Sequence, residues 1–181
     1  MINNVYKLSE EERKLAKELG NKRNEAKDKS FRDKKILKKG RPSGDSHVLG
    51  IAAEIAYAAL TDQKINEEIY ARGDEMDFDG VELKASTFKG KNITLKIPKK
   101  EYEIKNPRIY VLARIDENYT TVEFIGSISR RRFDKLKYDK RYTIIDNHCV
   151  DGDQMAKVLA FFKDGKYQEK IFNQKNETFT I

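Results

Sequence analysis

The spacing of apolar positions changes along the chain, and the elements it predicts change with it. In residues 8–20, LSEEERKLAKELG, Leu15 and Leu19 sit one turn apart behind Ser9 and Glu12, whose spacing is that of a capping box. A helix is expected there, with Gly20 able to stop it. Residues 46–62, SHVLGIAAEIAYAALTD, are apolar nearly all round and predict a buried helix. Glu54 is the single charged side chain inside it, so it either occupies a solvated slot or faces a polar site.

Past residue 90 the pattern turns to β-branched and aromatic runs. NITLKI (92–97), RIYVLARI (108–115) and TTVEFIGSI (120–128) predict strands separated by Pro, Asn, Gly or Asp. SRRRFDKL (129–136) predicts a short helix with surface arginines, and YTIID (142–146) a strand or extended segment. In GDQMAKVLAFFKDG (152–165), Met155, Val158, Leu159 and Phe162 fall at helical spacing, with Asp153 as cap and Gly165 as stop, so an amphipathic helix is expected. The last residues predict at most a closing strand.

Residues 21–40 are mostly polar, with Phe31, Ile36 and Leu37 as the sizeable apolar side chains, and RPSGD (41–45) supplies boundary residues. The expected organisation is an N-terminal helix and basic arm over 1–40 and a core over 41–181. The element order implies an α/β fold with a mixed central sheet flanked by helices.

A chain of 181 residues suits one domain. Charged residues reach 37%, yet nine Phe and nine Tyr exclude wholesale disorder. Cys149 has no partner for an internal disulfide, and one cysteine with two histidines does not build a usual structural zinc site. No stretch approaches the roughly 20 apolar residues of a membrane span, and the first residues, MINNVYKLSEEERKLAKEL, carry no apolar run, so no targeting segment is expected. A cytoplasmic setting without membrane partners is expected.

The net charge of +7 is uneven: residues 21–41 hold ten Lys/Arg against three Asp/Glu, and residues 127–142 hold seven against two. Those excesses of +7 and +5 leave −5 for the rest. Basic flanks around an acidic middle suit a polyanion, with cations needed where the middle meets phosphate. Lys38, Lys39 and Arg41 in the arm and Arg130, Arg131 and Arg132 in the core are the candidate phosphate contacts.

The acidic middle is RGDEMDFDGVELKAS (72–86). Asp79-Gly80 signals a two-residue hairpin turn with both residues at positive φ. Counting outward pairs Phe78 with Val81, Asp77 with Glu82, Met76 with Leu83 and Glu75 with Lys84. Asp77 and Glu82 then face each other with Cβ atoms about 4.5–5.5 Å apart, which is unfavourable for like charges. Mg²⁺ or Mn²⁺ relieves such a pair, since hard cations take carboxylate oxygens, water and substrate phosphate.

A helix bearing a lone Glu, an Asp before a turn, a strand carrying Glu-x-Lys and further strands together resemble the PD-(D/E)XK nuclease superfamily. The resemblance covers residues 46 to about 128 and is carried by Glu54 in GIAAEIA, Asp77 in MDFDG, and Glu82 and Lys84 in VELKAS. The chain departs from the pattern in lacking a Pro before Asp77 and in its tight hairpin, so Asp74 and Asp79 stand as alternatives to Asp77. The resemblance implies a sheet with the acidic hairpin at its centre and metal-dependent cleavage of phosphodiester bonds. Asp77, Glu82 and the Leu83 carbonyl would hold one metal, Glu54 would hold a second or orient water, and Lys84 would position the attacking water. It implies DNA, in duplex form, as substrate, and a homodimer where both strands are cut.

A second expectation is a non-catalytic nucleic-acid-binding protein on a nuclease-like scaffold, and a third an interaction protein whose acidic hairpin meets a basic partner. His47, His148, Cys149 and Lys96 are expected in structural or surface roles.

Overall fold

The computed structural model describes residues 1–30, 45–67, 75–142 and 145–173. Lys38, Lys39, Arg41, Asp74 and the boundary expected at 41–44 lie outside them. The elements are β1 (Val5–Lys7), α1 (Glu10–Ser30), α2 (Asp45–Thr61), β2 (Val81–Ser86), β3 (Thr94–Pro98), α3 (Lys99–Ile104), β4 (Ile109–Ile115), β5 (Thr121–Ser129), α4 (Arg130–Leu136), β6 (Tyr138–Tyr142), β7 (Ile145–Asp151), β8 (Val158–Lys163) and β9 (Lys166–Ile171).

A mixed sheet in the order β1-β5-β4-β2 organises the fold, with β2 parallel to β4 and the other pairs antiparallel. Along β4 the side chains alternate between two cores, as the period of two requires. Ile109, Val111, Ala113 and Ile115 join the apolar sides of α1 and α2, whereas Tyr110 and Leu112 join Leu95 and Ile97 of β3, Val150 of β7 and Phe133 of α4. One sheet face is therefore covered by two helices. The other meets the three-stranded sheet β3-β7-β6 and α4. The expected α/β class and mixed sheet hold, but β2 lies at the sheet edge, where the resemblance implied a central position.

The capping box forms: Ser9 Oγ accepts the Glu12 N–H at 3.2 Å and a Glu12 carboxylate oxygen accepts the Ser9 N–H at 2.7 Å. α1 runs through Gly20 rather than stopping there. The reason is packing, because a Cβ at Gly20 would lie 2.7 Å from the Val48 nitrogen; the bare glycine lets α1 and α2 cross closely. Residues 1–25, expected as the N-terminal helix and the start of the basic arm, contribute β1 to the sheet and Leu8, Ala16 and Leu19 to the core.

Two further expectations are corrected. Residues 152–165 form a 3₁₀ turn at Gly152–Gln154 followed by strand β8, not a helix. Asp164-Gly165 supplies the reason: both residues have positive φ, 53° and 71°, which is the two-residue turn that folds β9 back onto β8. At Asp79-Gly80 only Gly80 has positive φ, and the hairpin closes with the single pair Phe78–Val81. The expected Asp77–Glu82, Met76–Leu83 and Glu75–Lys84 strand pairs are not formed. No helix among the described residues is long and apolar enough to cross a membrane.

Candidate active site

β2 places Val81 and Leu83 in the core with α1 and α2, so Glu82 and Lys84 project from the opposite face. α2 reaches the same region from the other layer through Glu54, and the segment before β2 brings Asp77 to the open edge of the strand. The Asp77 carboxylate accepts the Leu83 N–H at 2.7 Å. A strand residue's N–H and C=O point to the same edge, so the Leu83 carbonyl is turned toward Asp77 as well.

Glu54, Asp77, Glu82, Leu83 and Lys84 all line one cavity of about 640 Å³. Four side chains separated by up to thirty positions in sequence thus converge. Glu54 is 3% exposed and Glu82 2%, which settles the open question about Glu54: it faces a polar site. Asp79 is exposed on the turn, where Arg108 holds it at 3.1 Å, and it does not line this cavity.

Three residues with no expected role complete the constellation. Arg23 of α1 makes a two-pronged contact with Glu54, Nη1 to Oε1 at 2.8 Å and Nη2 to Oε2 at 3.1 Å, and donates also to the Asn66 carbonyl at 2.9 Å. Glu101 of α3 meets the Lys84 ammonium at 2.5 Å. Lys105, just past α3, reaches Glu82 Oε1 at 2.8 Å, the oxygen that Lys84 also holds at 2.9 Å. The i,i+4 spacing of Glu101 and Lys105 between Pro98 and Pro107 was the available sequence signal for α3. Nothing local marks Arg23, which sits inside a basic run and finds its partner through tertiary packing.

Crowding of carboxylates shapes the electrostatics. Burial pushes the Asp77 carboxyl up to about 6, and the negative charge of Glu54 adds to it, against Lys84 and Lys105. Burial and then Asp77 push Glu82 up to about 7. Burial also raises Glu54, with Arg23 opposing. The Lys84 ammonium, though burial works against it, is held above its ordinary value by Glu82, Glu101 and Asp77 and stays charged.

Glu82 Oε2 is buried and, among the described residues, has no hydrogen-bond partner, a state that leaves a lone pair unmatched. Asp77, whose charge acts on Glu82, and Leu83 line the same cavity. Among the described residues no group of three or more His, Cys, Asp or Glu is already arranged to hold an ion. Two carboxylates are nonetheless what Mg²⁺ ordinarily takes from a protein, with water and substrate completing its shell.

The remaining expected site residues lie elsewhere. Arg130 is held internally: Nη1 donates to the Tyr110 hydroxyl at 2.7 Å and the Lys105 carbonyl at 3.1 Å, Nη2 donates to the Tyr102 carbonyl at 3.2 Å, and the guanidinium stacks on Tyr102. Arg131 and Arg132 are exposed on α4. His47 is the exception: expected in a structural or surface role, it lines the same cavity. His148 meets Asp139 at 2.7 Å, Cys149 is buried, and Lys96 lies exposed over the Tyr142 ring. Comparison of the chain with protein-family models, with curated proteins and with solved structures returned no match.

Proposed function

We propose that the protein is a metal-dependent endonuclease that hydrolyses phosphodiester bonds in DNA. The observation carrying this reading is the convergence of Glu54, Asp77, Glu82 and Lys84 on one cavity, with a buried Glu82 oxygen left unmatched. Asp77, Glu82 and the Leu83 carbonyl would hold Mg²⁺ or Mn²⁺, which would supply counter-charge to phosphate and make water more acidic. Lys84 shares the face of Glu82, stays protonated, and orients the attacking water while offsetting charge on the pentacovalent phosphate. Glu101 fixes the direction of the Lys84 ammonium, and Lys105 and Lys84 share one oxygen of Glu82 while the other is left to the cation.

Arg131 and Arg132 are the exposed phosphate contacts in this reading, and the basic residues of 31–41 add affinity for the polyanion. Supercoiled plasmid incubated with the purified protein and Mg²⁺ tests it. Nicked or linear product is expected from wild type, none with EDTA, and a loss of at least 100-fold in Lys84→Ala. Equal inertness of wild type and variant toward plasmid, with salt-sensitive binding retained, would instead favour the non-catalytic nucleic-acid-binding protein.

A further inference from the structure

Glu54 and Arg23 raise a question that the nuclease reading leaves open, namely how many cations the site takes. Both Glu54 oxygens are engaged by one guanidinium fork, at 2.8 and 3.1 Å, and the pair is nearly closed to solvent, with side-chain exposures of 4% for Glu54 and 20% for Arg23. Arg23 is anchored independently by the Asn66 carbonyl. Its helix is fixed as well, because the bare Gly20, one turn earlier, seats α1 against Val48 of α2. A guanidinium does not lose its charge at any pH the protein meets, so Arg23 remains a cation beside Glu54.

Charge balance points the same way. With all four carboxyls ionised, as a bound cation requires, Glu54, Asp77, Glu82 and Glu101 bring four negative charges to the cavity and Arg23, Lys84 and Lys105 three positive ones among the described lining residues, while Glu75 and Lys100, both exposed, offset each other. The site is thus left at −1. One divalent cation brings it to +1, matched to a single phosphodiester; two would bring it to +3 in a desolvated space, an unfavourable accumulation of like charge.

We infer that Arg23 takes the place of a second cation, neutralising Glu54 and leaving the chain one divalent-cation position at Asp77 and Glu82. Glu54 is then a positioning residue that holds Arg23 at the cavity wall, where the guanidinium faces incoming phosphate. This inference rests on the metal-dependent reading, and the two fail in different ways.

Calorimetric titration of the full chain with Mn²⁺ alone reads the stoichiometry. Wild type is expected to bind one ion per chain, Glu54→Gln to keep one site with affinity within about threefold, and Asp77→Asn to lose it. Arg23→Met, which keeps the apolar stem and removes the fork, is expected to admit a second, weaker ion through the released Glu54; a single site in that variant would overturn the role given to Arg23. Two ions in wild type and one in Glu54→Gln would overturn the inference while sparing the nuclease reading. No Mn²⁺ binding in wild type would overturn both, and a second ion in wild type overturns the inference whether or not the variants fold.

Discussion

The Asp77 carboxylate accepts the backbone N–H of Leu83 at 2.7 Å, doing at the open edge of β2 what a neighbouring strand would otherwise do. One side chain thereby closes the edge of the strand and brings a charge beside Glu82. The two roles separate by substitution. Asp77→Asn keeps an acceptor for Leu83 and should fold normally while weakening Mn²⁺ binding at least tenfold by calorimetry. Asp77→Ala also strands the N–H and should cost a further 1–3 kcal/mol or so in urea unfolding.

The raised carboxyls of Asp77 and Glu82 set a pH dependence for the metal-free protein. A carboxyl whose folded pKa lies above its unfolded value binds protons more tightly when folded, so its contribution to stability is greatest below the unfolded pKa and falls as pH rises through the folded one. For Glu82 that window runs from the ordinary 4.5 to about 7. In EDTA, Glu82→Gln should therefore gain stability relative to wild type between pH 5 and 8, by on the order of 1–3 kcal/mol. Chemical denaturation of both proteins at the two pH values checks the sign, and a relative loss toward pH 8 would contradict it.

Gly20 reverses the usual helix rule. Alanine for glycine in a helix interior ordinarily stabilises by about 1 kcal/mol, but here the added Cβ meets the Val48 nitrogen and Cα at 2.7 and 2.8 Å, and backbone does not give way cheaply. Gly20→Ala should destabilise by roughly 1–3 kcal/mol, read as a lower urea midpoint.

Adjacent arginines should behave oppositely. Arg130→Ala removes a fork that ties α4 to Tyr110, Tyr102 and the Lys105 carbonyl, and should lower stability by about 2–3 kcal/mol. Arg131→Ala and Arg132→Ala should leave stability nearly unchanged while weakening DNA binding and reducing its salt dependence by about one ion each. Thermal melts together with binding titrations across salt concentrations distinguish the two classes.

Legibility in the sequence followed the range of the interaction. Alternation along VELKAS places Glu82 and Lys84 on one face whatever the strand pairs with, and the all-round apolar character of α2 makes a buried Glu54 conspicuous in advance. The helical reading of 152–165 failed because a continuous apolar run, Val158 to Phe162, satisfies helical spacing as well as strand burial. The Asp164-Gly165 turn that resolves the ambiguity resembles a helix stop. Asp79-Gly80 carries the same dipeptide but is held differently, with Gly80's carbonyl accepting the N–H groups of Arg108 and Ile109. Arg23 and Lys105 were invisible for another reason: their partners lie 31 and 23 positions away, and only the packing of α1 and α3 around the edge of β2 makes them neighbours.

Crystals soaked in Mn²⁺ and measured at the manganese absorption edge test the central claim most directly. The account predicts one anomalous peak per chain in contact with Asp77 and Glu82, with Arg23 still clasping Glu54. No peak at those two carboxylates, in crystals that take up the ion elsewhere, would contradict it.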